Sequence, residues 1–161
     1  MNIILLRHGE AEDLTSQNED YNRALTAKGK KQLEQVSKYL IRSDYKIDRI
    51  ATSPLRRAVE TAEIVAEHLG IEPEKWVELS PNSDLRNLES KIWANSMHST
   101  ILLVGHEPML SSFICLLIEA GPRTRIVLKK SGLAFVNITS SKLNLTGELT
   151  LLINPKIARK I

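Results

Sequence analysis

Three junctions in the chain place reactive side chains directly after apolar runs. Ile3-Ile4-Leu5-Leu6 leads into Arg7-His8-Gly9, Ile101-Leu102-Leu103-Val104 leads into Gly105-His106, and Ile50-Ala51-Thr52 leads into Ser53-Pro54-Leu55-Arg56-Arg57. An imidazole titrates near neutral pH and can exchange protons or bind covalently. A guanidinium presents a planar fork of donors that matches the oxygens of a carboxylate or phosphate. Histidines and arginines repeated at such junctions therefore suit an anionic group. The plainer reading of each junction is a solvated turn after a strand.

The surrounding pattern decides how the junctions could meet. Asn2 to Leu6 and Ile101 to Val104 are short, continuously apolar runs, as expected of buried parallel strands. Arg49 to Thr52 is a third short strand. Gln17 to Arg23 is polar and reads as a loop. Thr26 is placed to cap a helix running to about Arg42, with Leu33, Val36 and Leu40 on one face and Gly29 weakening the first turn. Ser53 and Pro54 predict a second helix start, serine as the cap and proline first inside, running to Leu69 with Gly70 as the stop. Further helices are expected over Asp84 to Met97 and Pro108 to about Ala120. "WVEL" at Trp76 to Leu79 reads as a brief extended segment. Arg125 to Leu128, Leu133 to Thr139 and Glu148 to Ile153 read as strands separated by turns.

This order of elements predicts a three-layer α/β/α sandwich with a mostly parallel central sheet and antiparallel edge strands, in a single domain spanning residues 1–161. Parallel strands share one side for their carboxyl ends, the usual place for chemistry in open α/β sheets. His8 and His106 can therefore meet although they are far apart in sequence.

The composition excludes several classes. With 161 residues, 42% hydrophobic and 25% charged, the chain is an ordinary globular protein. A net charge of +3 and 4% aromatic residues argue against nucleic acid as a partner. One cysteine, Cys115, permits no internal disulfide, and its apolar surroundings predict a small buried hydrophobe. Met1 to Leu6 is too short an apolar start for a signal peptide. No apolar run approaches the roughly 20 residues of a membrane span. The expected setting is cytoplasmic, with no membrane partner and a monomer favoured.

The motifs together resemble the histidine phosphatase superfamily. Arg7-His8-Gly9-Glu10, Ser53-Pro54-Leu55-Arg56-Arg57-Ala58 followed by Thr61-Ala62, and the late Gly105-His106 appear in that family's order. Arg23-Ala24-Leu25-Thr26 through Gly29, Val77-Glu78-Leu79-Ser80-Pro81 and Lys156-Ile157-Ala158-Arg159 are more similar to its SixA-type phosphohistidine phosphatase branch. The resemblance covers essentially the whole chain and implies a phosphoglycerate mutase-like fold.

It also implies roles. His8 would be the nucleophile, its other ring nitrogen donating to the backbone carbonyl of Gly9. Arg7, Arg57 and a protonated His106 would hold the phosphoryl oxygens, with Gly9, Arg23 and Ser53 lining the pocket. Arg57, directly before alanine, fits the family pattern, and Arg56 is read as a surface charge. Glu78 is the candidate proton donor, while Glu10 and Glu12 would shape the rim. No metal or cofactor is required, because the arginines neutralise the charge. His68 and His98 are read as bystanders, and Trp76 and Trp93 as packing residues.

The expected reaction is hydrolysis of phosphohistidine on a protein through a phosphohistidine intermediate. One helix and one strand fill the stretch between Thr26 and Ser53, which leaves no room for a large lid and suits a side chain presented by another protein. The alternatives are a phosphatase for small phosphate monoesters, a mutase, and a non-catalytic domain that binds a phosphorylated partner.

Overall fold

A computed structural model describes residues 1–15, 19–96, 99–140, 144–158 and 160. His98 and the expected Met97 end of the third long helix lie outside the described residues, as do Gln17 in the first loop and Arg159 near the carboxyl terminus. The elements are β1 (Asn2–Arg7), α1 (Ala27–Arg42), β2 (Arg49–Thr52), α2 (Arg56–Leu69), β3 (Pro73–Lys75), α3 (Leu85–Ser96), β4 (Thr100–Gly105), α4 (Met109–Leu117), β5 (Leu133–Ser140), β6 (Thr146–Ile153) and α5 (Pro155–Ala158).

Six strands form one sheet in the order β3-β2-β4-β1-β5-β6. The first four positions are mutually parallel, and β5 and β6 add on antiparallel. The strand pattern explains the two layers above and below. Ile3 and Leu5 of β1 join Ile101 and Leu103 of β4 under α3 and α4. Ile4 and Leu6, with Leu102 and Val104, face the opposite way, where Leu33, Val36 and Leu40 of α1 and Ala58, Ala62 and Val65 of α2 pack. Both faces of the central strands are covered, so the runs are continuously apolar rather than alternating. The α/β/α layering with antiparallel strands toward one edge is as expected. No helix among the described residues is long and apolar enough to cross a membrane.

Four local expectations are corrected. Thr52 is followed by an irregular turn, and α2 begins only at Arg56 with Leu55 in the capping position, so Ser53 caps no helix. Its side chain is drawn instead toward His106. Arg125 to Leu128 is not a strand. Both sides of β1 are already taken by β4 and β5, and Leu128 is buried with its carbonyl accepting from Arg7 Nη1 at 3.1 Å. Val77–Leu79 is a 3₁₀ turn, and the extended segment lies just before it, at β3. Helix α4 ends at Leu117, and Cys115 on it is partly exposed rather than buried.

Thr26 caps α1 as expected, accepting from Gly29 N at 3.0 Å. Gly29 itself is a requirement of packing rather than a weakness. A Cβ there would lie 2.2 Å from the Glu10 carbonyl oxygen, so glycine is what lets α1 press against the backbone two residues past His8. Helix propensity alone predicts that Gly29→Ala stabilises by roughly 1 kcal/mol. The clash with backbone reverses the sign, and we expect a loss of about 2 kcal/mol in urea unfolding, within the range for overpacking. An unchanged or raised midpoint contradicts this packing account.

Candidate active site

The register of the sheet aligns the three junctions. Arg7 stands opposite Gly105 and Thr52 opposite Val104, and the ladder continues one step further. His8 N donates to Gly105 O at 3.1 Å, and Ser53 N donates to Val104 O at 3.0 Å. His8, His106 and Ser53 are thus each the first residue past a strand, on one edge of the sheet. The imidazoles of His8 and His106 lie with ring centroids 5.1 Å apart.

His8 has a fixed tautomer. Its Nδ1 lies 2.7 Å from the Gly9 carbonyl oxygen, which can only accept, so the proton is assigned to Nδ1 and Nε2 keeps its lone pair. Gly9 N donates in turn to Thr61 Oγ1 at 3.1 Å, and Thr61 Oγ1 donates to Arg57 O at 2.7 Å. Gly9 does not adopt a positive φ. It supplies room: a Cβ there would stand 2.9 Å from Leu33 Cδ1 and 3.1 Å from Leu25 Cδ2. Ser53 Oγ sits 2.8 Å from His106 Nε2 and accepts from Leu55 N at 3.3 Å. Its hydroxyl is free to donate to Nε2, an assignment that leaves the proton of neutral His106 on Nδ1.

The cations are held by backbone and by one carboxylate. Arg7 Nη1 bonds Leu128 O. Arg57 is only 4% exposed; its Nη1 donates to Asp20 O at 2.7 Å and its Nη2 to Asp20 Oδ2 at 3.1 Å. Arg23 donates to Asp20 Oδ1 through Nε at 2.9 Å and Nη2 at 2.7 Å, and through Nη1 to Glu12 O at 2.8 Å. Ser131 lies wholly buried at φ 58°, outside the regions most side chains adopt, and its N–H donates to both Arg7 O and His8 O. Four buried side-chain polar atoms lack a hydrogen-bond partner among the described residues: Arg7 Nε, Arg57 Nε, His106 Nδ1 and Ser131 Oγ. All four belong to residues of this one cluster. Unpaired buried donors are costly, on the order of 1–3 kcal/mol each, so their concentration here marks a place built for an acceptor-rich anion.

Electrostatics set the protonation. Burial, with Arg57, Arg7 and Lys130 adding to it against the Gly9 hydrogen bond, lowers the pKa of His8 to about 4. Burial, then His8 and Arg57, lowers that of His106 to about 3. Both rings are neutral at pH 7. His106 therefore does not carry here the proton that the resemblance implies. Burial lowers the pKa of Arg57, against the pull of Asp20. Burial works against ionisation of Asp20 too, but Arg23 and Arg57 outweigh it and hold the carboxyl below its ordinary value.

The remaining candidates separate cleanly. Arg56 is exposed and pairs with Glu60 at 2.7 Å, while Glu60 Oε2 accepts from Leu25 N. Glu10 pairs with Lys28 at 2.7 Å. Glu78 sits in the 3₁₀ turn after β3 and lines a shallow depression with Ser83, Asp84, Asn87, Ser90 and Lys91. No hydrogen bond or ion pair among the described residues joins it to the histidines or arginines of the cluster. His68 bridges α2 to Glu34 of α1 at 3.0 Å. Trp76 is buried as expected, whereas Trp93 is 38% exposed and is not a core residue. Asp20, Thr61, Leu128, Lys130 and Ser131 were given no role from sequence. The signals for them in the sequence are faint: an acidic residue three before Arg23, and the turn-like run Lys129-Lys130-Ser131-Gly132.

Comparisons with known proteins bear on the family and the fold. The pattern of the histidine phosphatase superfamily (branch 1) matches residues 3–82. An uncharacterised protein of Picosynechococcus sp. is 31% identical over 161 residues, covering 97% of this chain and 98% of that protein. A phosphohistidine phosphatase SixA homolog of Haemophilus influenzae is 30% identical over 128 residues, covering 71% of this chain and 75% of the relative. Among solved structures, the protein histidine phosphatase SixA complexed with tungstate superposes with a TM-score of 0.86 at 24% identity, covering 98% of this chain and 99% of that one.

The depressed imidazoles predict a pH dependence of stability. Unfolded histidine takes up a proton near pH 6.5, whereas native His8 and His106 do so only near 4 and 3. Between these values the unfolded chain binds more protons, so stability rises with pH and is lost as pH falls from about 6.5. NMR titration should show both rings still neutral at about pH 5.5. Midpoints near 6.5 for either ring contradict the desolvated site.

Proposed function

The chain belongs to the histidine phosphatase superfamily, and on that premise we propose that it hydrolyses phosphohistidine on a protein through a covalent phosphohistidine intermediate on His8. The observation that carries the reading is the state of His8. It is neutral, its Nδ1 proton is engaged by Gly9, and its free Nε2 stands in a cluster whose buried donors lack an acceptor. Attack by Nε2 on phosphorus forms the N–P bond and breaks the bond to the leaving group. Arg7, Arg57, Arg23 and His106 Nδ1 stabilise the equatorial oxygens during transfer. Water then attacks phosphorus, the O–P bond forms as the electron pair of the N–P bond returns to Nε2, and inorganic phosphate departs with the water's oxygen and protons.

The substrate class follows from the acid–base inventory. An alkoxide leaving group needs a proton, and a carboxyl held protonated is the usual source. The carboxyl that the described residues bring onto the arginines is Asp20, and it is held ionised. Glu78, the expected donor, is joined to the histidines and arginines of the cluster by no hydrogen bond or ion pair among the described residues. Imidazole is a much better leaving group and tolerates the missing acid. A protein substrate is supported by the rim. Leu14, Tyr21, Val77 and Val127 are each more than half exposed. They sit on the loops that follow β1 and β3 or adjoin the Leu128 carbonyl, around the edge where His8 emerges. The reading extends to a single domain over residues 1–161 that works as a cytoplasmic monomer.

The deciding measurement compares kcat/KM for a phosphohistidine-bearing protein with that for a simple phosphate monoester. We expect a preference of a hundredfold or more for phosphohistidine, about 2.7 kcal/mol of transition-state discrimination. A preference for the ester overturns the substrate assignment. His8→Ala should abolish turnover and the acid-labile phosphoenzyme, and retention of more than about a tenth of wild-type activity contradicts the nucleophile. Arg57→Ala should lower kcat/KM about 100-fold, the typical effect of losing one oxyanion donor.

A further inference from the structure

Asp20 is an anomaly in a site for a dianion. Its carboxylate is held against Arg57 and Arg23, two of the cations the phosphoryl group would use, and its own negative charge opposes that group. Its side chain is 49% exposed, whereas His8 is 7% and His106 2% exposed. Asp20 is thus the solvent-open group of the cluster, and the histidines are its buried ones. In-line displacement requires the leaving group to stand on the side of phosphorus opposite the nucleophile. A substrate that enters from solvent therefore presents its leaving group away from the buried His8, on the side to which Asp20 is open.

Resting on the phosphohistidine reading above, we infer that Asp20 is the specificity-determining residue that receives the leaving imidazole, accepting a hydrogen bond from its distal ring N–H. The reaction then has the same arrangement on both sides of phosphorus. On the buried side, the Gly9 carbonyl holds the Nδ1 proton of His8 and supports the positive charge the ring gains on phosphorylation. On the open side, Asp20 supports the positive charge of a substrate ring protonated on its distal nitrogen. In the transfer, the bond from His8 Nε2 to phosphorus forms. The substrate N–P bond breaks with its electron pair going to the substrate ring nitrogen. The distal proton stays on that ring, which departs as neutral imidazole. No further acid or base is consumed. A phenolate or alkoxide leaving group gathers negative charge at the same place and meets the Asp20 carboxylate unfavourably. Asp20 thus selects for a leaving group that starts cationic and ends neutral, while its contacts with Arg57 and Arg23 keep the carboxylate in place.

The test is Asp20→Asn, which is close to isosteric and removes the charge. Wild type and variant are compared on two probes, a histidine peptide phosphorylated with phosphoramidate and p-nitrophenyl phosphate, whose leaving group needs no proton. Loss of the arginine clamp alone would lower both activities together, so the readout is the ratio of the two kcat/KM values. We expect D20N to lower the phosphohistidine-to-ester ratio by about tenfold or more. A smaller change in the ratio, whatever happens to the individual rates, overturns the role of Asp20 and leaves the phosphohistidine reading intact. A wild-type enzyme that prefers the ester overturns that reading, and this inference with it.

Discussion

The parallel pairing of β1 with β4 is the contact on which the site depends. Six consecutive pairs, from Asn2 opposite Thr100 to Arg7 opposite Gly105, bring together segments almost a hundred residues apart. The next hydrogen bond, from His8 N to Gly105 O, carries the register one step past the strands. Two imidazoles consequently emerge side by side from the same edge. A slip of one residue would turn one histidine to the opposite face, because side chains alternate along a strand. Strand β2 on the far side of β4 delivers Ser53 to His106, and the start of α2 behind it delivers Arg57.

The cluster so assembled is costly. It buries a guanidinium, two neutral imidazoles and four polar atoms without partners. Backbone carbonyls bear much of the load: Leu128 for Arg7, Gly9 for His8 and Asp20 for Arg57. The rest is borne by the two apolar layers, in which the central strands and the inner faces of α1, α2 and α4 are almost entirely excluded from water. Donors fixed in advance need not reorganise when negative charge arrives, and this is where such a site gains over water. Gly29 and Gly9 belong to the same economy of space, since each lets a helix or side chain close on the backbone beside His8.

Much of this was legible in the chain itself. The continuous apolar runs predicted buried parallel strands at Asn2 and Ile101, and period and capping residues placed α1 behind Thr26. Other features were misread because local signals competed with distant partners. Ser53 before Pro54 has the form of a helix cap, but His106 claims the hydroxyl. Arg125 to Leu128 holds the β-branched pair Ile126-Val127 as a strand would, but the sheet has no edge open beside β1, and Arg7 takes the Leu128 carbonyl. Gly29 looked like a weak point in a helix because nothing nearby in sequence shows that Glu10 lies against it.

The sequence by itself determined the central strands β1, β2 and β4, helix α1, the order of the three junctions and the residue types that bear on phosphate chemistry, because each is encoded in a window of a few residues. The tertiary structure decided which of Arg56 and Arg57 turns inward, that both histidines are neutral, and that Asp20 lies across two arginines. These properties depend on burial and on charges brought together from distant segments, and neither exists until the sheet has closed.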